Sequence, residues 1–138
     1  MRPLNDFELI AQHSSLLETP RHELFYQGQA TGFITQASDV VAQYQVGDHF
    51  LIATVLEVPK QEKLECYVLD KRFKQKAYRK YTGWLTSSFM VTGQRVLSAT
   101  ELEIVLNKSI RIHLQLHRRR LPWPRVVLNL QPLFNSVN

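Results

Sequence analysis

The chain has 138 residues, 44% of them hydrophobic and 21% charged, which is the balance of a folded globular protein and not of a disordered one. Its length fits a single domain over residues 1–138 with room for a sizeable core. Cys66 is the only cysteine, which excludes an intrachain disulfide and a cysteine-rich zinc site.

The opening residues lack an apolar stretch behind a basic cap, and no apolar run is long enough to span a bilayer. These features predict a cytoplasmic protein with no membrane insertion. Formal net charge is +5, unevenly placed. Residues 1–70 hold four bases and ten acids, a balance of −6, whereas residues 71–138 hold thirteen bases against Glu101 and Glu103, a balance of +11. Such asymmetry points to an acidic partner, unless the fold interleaves the halves and averages the charge.

Taken in chain order, the first segment predicts an amphipathic helix. Asn5 and Glu8 have capping-box spacing, Leu4, Phe7, Ile10 and Ala11 share one helical face, and Pro20 stops the helix by Thr19. From His22 the pattern turns to strands, over residues 22–30 and 31–35, with Gly28 and Gly32 marking a bulge or tight bend. Val46, Gly47 and Asp48 form a turn signal before residues 50–58, a run apolar on both faces and therefore a central strand. Residues 59–63 are a polar turn, and residues 64–69 return as the hairpin partner. The run 46–58 resembles the Gly-Asp lead-in of many small barrels, oligonucleotide-binding folds included, but over little more than a dozen residues, and it identifies no family.

Residues 71–80 are basic, with two aromatics and no acid, and residues 84–91 read as a further strand before a Thr92-Gly93 turn. Residues 98–107 read as a short helix capped by Ser98 and Glu101, although Leu102, Ile104 and Leu106 also alternate. The clearest strands are 110–116 and 126–130, whose alternation predicts Ile112, Leu114, Leu116, Val126, Leu128 and Leu130 in the core. Between them lies a connection of three arginines and Leu121, Pro122, Trp123, Pro124 and Arg125, stiffened by its prolines. The fold expected is mainly β (α+β): a small curved antiparallel sheet or barrel with an N-terminal helix and room for one further short helix.

The chemistry-bearing motifs of enzymes are missing. The five glycines are scattered and make no phosphate loop, and no nucleophile elbow surrounds Ser14, Ser15, Ser87 or Ser88. His113 and His117 on a strand stand about 13 Å apart, too far to share a metal ion. Asp39 with Asp48, or Glu62 with Glu65, form a carboxylate pair only if the fold converges them. Cys66 in a strand reads as a small core residue. The expectation is therefore no catalysis, no metal and no cofactor.

What remains is a basic and aromatic pattern. Lys71, Arg72, Lys74, Lys76, Arg79 and Lys80 are interleaved with Phe73, Tyr78, Tyr81 and Trp84, and Arg118, Arg119 and Arg120 stand beside Trp123. Cations along a groove neutralise phosphates, and exposed aromatic faces stack on unpaired bases. The bland alternative is a solvated basic hairpin whose aromatics turn inward, as the bases flanking Phe73 suggest. The leading expectation is a non-catalytic module binding single-stranded DNA or RNA. The alternative is an interaction or structural subunit, the acidic half of one copy meeting the basic half of another in a homo-oligomer or larger assembly. A third reading is an enzyme or small-ligand receptor whose site only the fold assembles.

Overall fold

The computed structural model describes residues 1–12, 20–56, 62–83 and 89–134. Among them are twelve strands and no helix: β1 (Arg2–Pro3), β2 (Phe7–Ala11), β3 (His22–Tyr26), β4 (Gln29–Thr35), β5 (Asp39–Val46), β6 (His49–Leu56), β7 (Lys63–Leu69), β8 (Gln75–Thr82), β9 (Val91–Ser98), β10 (Glu101–Leu106), β11 (Ile110–Arg119) and β12 (Arg125–Phe134). No described helix is long and apolar enough to cross a membrane. All strand pairs are antiparallel and form three sheets, ordered β1-β5-β6-β7-β8, β12-β11-β10-β9 and β2-β3-β4.

The five-stranded sheet is the middle layer. On one face Leu51, Ala53 and Val55 of β6, with Leu64, Cys66 and Val68 of β7, pack against Leu102, Ile104, Ile112, Leu114 and Leu128 of the four-stranded sheet. On the other face Phe50, Ile52, Tyr67 and Leu69 pack against Phe7 and Leu24 of the three-stranded sheet. The register keeps each set together, since Leu51 pairs with Val68 and Ile52 with Tyr67. This explains why the run from Phe50 is apolar on both faces, with Thr54 its one polar residue: both of its faces are covered. No barrel closes among the described strands, which form three open sheets. Burial pushes the Cys66 thiol up to about 12, the setting of an inert core residue.

The alternation read in the last two strands holds. Ile112, Leu114, Leu116 and Leu128 are buried, and Val126 and Leu130 pack partly buried against the same core. The two helices do not. In place of an N-terminal helix, Phe7–Ala11 is a strand paired with β3, with Phe7 buried and Leu9 against the core. The helical stripe would have put Ile10 inward, but Ile10 is exposed. The remainder of that helix, residues 13–19, lies outside the described residues.

Residues 98–107 form a hairpin instead of a short helix. The Ser98 hydroxyl accepts the Thr100 N–H at 3.2 Å and so caps a turn, while Leu102, Ile104 and Leu106 alternate inward along β10. Strands on both sides of β10 satisfy its backbone, which outweighs a weak local cap. The Thr92-Gly93 turn is likewise absent: Gly93 lies within β9, opposite Val105. Of the strand expected at 84–91, residues 84–88 are outside the described residues and Val91 begins β9.

Candidate functional site

Several turns meet at one end of the two inner layers. The Gly47-Asp48 turn joins β5 to β6, residues 70–74 join β7 to β8, and residues 120–124 join β11 to β12. Gly47 takes a positive φ of 61° there, and a Cβ on it would stand 3.6 Å from the Arg118 guanidinium, so this tight turn lies directly under the end of β11.

Between these turns is a groove of about 700 Å³ lined by His49, Lys76, Arg118, Arg119, Arg120, Pro124, Arg125 and Val126. Five of those side chains are permanent cations, and no carboxylate is among them. A bulge delivers Lys76. The β7–β8 register slips between Val68 and Leu69, so that Val68 faces Ala77 and Leu69 faces Gln75, leaving Lys76 as the extra residue. Its ammonium is 3.6 Å from Asp70.

Asp70 itself organises the turn before β8. Its carboxylate accepts the Arg72 and Lys74 N–H groups at 2.8 and 3.0 Å. Those backbone bonds, that from Lys74 foremost, together with the nearby Lys76 ammonium, hold its carboxyl below the usual carboxylate range. Lys71, Arg72 and Lys74 are thereby fixed on an exposed turn, while Phe73 tucks inward against Phe7, Tyr26 and Phe50, as its flanking bases implied.

Just outside the groove, Asp48 sits 2.7 Å from both the Arg118 guanidinium and the His49 ring. His49 first, then Arg118, draw its carboxyl below the ordinary range. Asp48 therefore competes with any anion for Arg118. Asp48→Asn should tighten anion binding by up to about fivefold, since a solvent-exposed ion pair is only a weak competitor. Oligonucleotide titrations at one low salt concentration check this; a weaker-binding Asp48→Asn chain would mean that Asp48 positions Arg118 for the ligand.

Trp123 is 63% exposed at the tip of the β11–β12 connection, next to Leu121 at 83%. The Arg125 guanidinium lies 5.7 Å from the Trp123 ring centroid, a cation–π contact that holds the indole beside the groove.

The two basic segments named from the sequence thus meet only through Lys76. Arg79 and Lys80 are exposed farther along the edge strand β8, and Arg79 donates to the Tyr78 carbonyl at 2.9 Å. Tyr78 faces the opposite side of the sheet, where its hydroxyl donates to Glu65 at 2.6 Å. Trp84 lies outside the described residues.

His49 and Arg125 were missed as lining residues. Arg125 carried a signal, standing two residues from Trp123 in the same connection, whereas His49 had none. His113 bonds Glu101 at 3.0 Å on the outward face of β11. Among the described residues, no group of three or more histidine, cysteine, aspartate and glutamate side chains is placed to hold a metal ion. Comparisons with protein-family models, with curated proteins and with solved structures found no match for the chain.

Proposed function

We propose that this chain is a non-catalytic module that binds single-stranded DNA or RNA, its backbone phosphates lying along the groove of Lys76, Arg118, Arg119, Arg120 and Arg125. The observation that supports this most strongly is the convergence of five cations from two distant segments on one groove, with no acid among the described residues that line it. Cations so arranged attract any polyanion. The exposed Trp123 favours an unpaired strand, because a free base stacks on an indole whereas a duplex keeps its bases stacked on one another.

Binding of a fluorescent homopolymer should fall with salt along a log–log slope of about −3, as expected for four or five neutralised phosphates on a single strand. Trp123→Ala should cost about 1–3 kcal/mol of affinity and leave that slope unchanged. No binding to DNA or RNA at low salt sinks the reading.

An interaction or structural subunit is the second reading, supported by β9. This edge strand leaves its outer hydrogen-bonding groups unpaired among the described strands and exposes Val96 and Leu97, each 41% accessible. A homo-oligomer in light scattering that dissociates when Leu97 is replaced by Lys would favour it.

A further inference from the structure

A second groove, of about 410 Å³, opens on the other face of β8, between the middle sheet and β4. Its wall is aromatic: the Phe33 and Tyr67 rings are 4.9 Å apart and the Tyr67 and Tyr78 rings 5.1 Å apart. One oxygen of Glu65 accepts both tyrosine hydroxyls, at 3.0 Å from Tyr67 and 2.6 Å from Tyr78. Burial above all, and Glu65 in addition, push both hydroxyls up from the ordinary tyrosine range, so they stay protonated and donate. With its hydrogen committed to Glu65, the Tyr78 phenol oxygen can only accept from a ligand, whereas that of Tyr67 already faces the Thr35 hydroxyl at 3.5 Å. Glu65 forms no ion pair among the described residues. The polar side of this wall therefore offers acceptors. Arg21 and Lys63 also line the groove.

We propose that this groove is a nucleotide site selective for a base with an N–H donor edge, guanine above all. A flat ring stacks on the part-exposed Tyr78, its donors reach Glu65 and the Tyr78 phenol oxygen, and its phosphate meets Arg21 or Lys63. Each component answers a different part of the ligand. A simple amine satisfies Glu65 but is repelled by the two cations, and a simple phosphate leaves the acceptors and the aromatic wall unused. Guanine presents an imino N–H beside an amino group, two adjacent donors, whereas uracil presents one N–H between two acceptors. The volume lies within the usual range for small-ligand sites, about 300–1,000 Å³. The site is separate from the basic groove and does not depend on it.

The test is an equilibrium titration of the whole chain with guanosine monophosphate and with uridine monophosphate. Guanosine monophosphate should bind about tenfold more tightly, and Glu65→Gln should erase the preference by setting an amide donor against the donor edge. Should that variant misfold, Tyr78→Phe carries the same comparison, since its hydroxyl lies on an edge strand. Replacing Arg118, Arg119 and Arg120 together by Glu should leave nucleotide binding unchanged, which distinguishes failure here from failure of the basic groove. Equal affinity for the two nucleotides, no binding of either, or a folded Glu65→Gln chain that keeps the preference overturns the assignment.

Discussion

Arg118→Glu, Arg119→Glu and Arg120→Glu, made together, should weaken single-strand binding by about a hundredfold or more at low salt, the direction and scale expected when several phosphate contacts become repulsions. The loss should be uniform across base sequences and accompanied by a flatter salt dependence, because phosphate contacts position a strand without reading it. Folding should survive. All three arginines are exposed, and the one ion pair lost, between Arg118 and Asp48, is a surface pair whose partners are 70% and 58% exposed. Such exposed pairs contribute little to stability. A melting curve close to that of the parent, with anisotropy titrations over a salt series, separates lost contacts from lost structure. Parental affinity in the triple variant would show that the strand does not lie against β11 and its following turn.

The strands that could be read directly are those with one clear face. In β11 and β12 the inward residues are aliphatic, and polar or charged side chains mark much of the outward face, so the core-facing set follows from alternation alone. The run from Phe50 was legible as central for the opposite reason, being apolar on both faces. Failures came where a local helix-cap signal competed with strand pairing. Ser98 with Glu101, and Asn5 with Glu8, have the spacing of helix caps. Yet β10 is held by β9 and β11, and β2 by β3, and these ladders decide the outcome. A linear scan also missed β5, whose residues Val40, Val41, Ala42 and Tyr44 mix facings across a bulge between Val40 and Ala42.

The site was legible as chemistry and not as geometry. Arginines flanking Trp123 in a proline-bounded connection announce an exposed cationic loop, and that is where the structure puts them. Which residues of 71–80 join them depends on a one-residue bulge at Lys76, and no residue type in that stretch encodes it. The acid that tempers the groove, Asp48, comes from the acidic half of the chain, so the halves are partly interleaved as their charge balance left open. The Glu65 network was out of reach for a similar reason. Tyr67 shares its strand face, but Tyr78 arrives from the neighbouring strand and Thr35 from another sheet, its hydroxyl 3.5 Å from that of Tyr67.

Leu114→Ala and Ile52→Ala should each destabilise the protein by about 2–5 kcal/mol, through two different interlayer cores. Leu114 is fully buried between the middle and four-stranded sheets, and Ile52, 1% exposed, lies between the middle and three-stranded sheets. Each truncation leaves a void whose apolar lining loses its contacts. Because β6 lines both cores, damage on one face should be felt on the other, and urea unfolding of either variant should remain a single transition at a lower midpoint. A biphasic curve for Ile52→Ala, with an early step absent from Leu114→Ala, would instead show that the three-stranded sheet unfolds as a unit of its own. An unchanged midpoint for Leu114→Ala would contradict the packing of β11 itself, since a fully buried leucine cannot lose three carbons without cost.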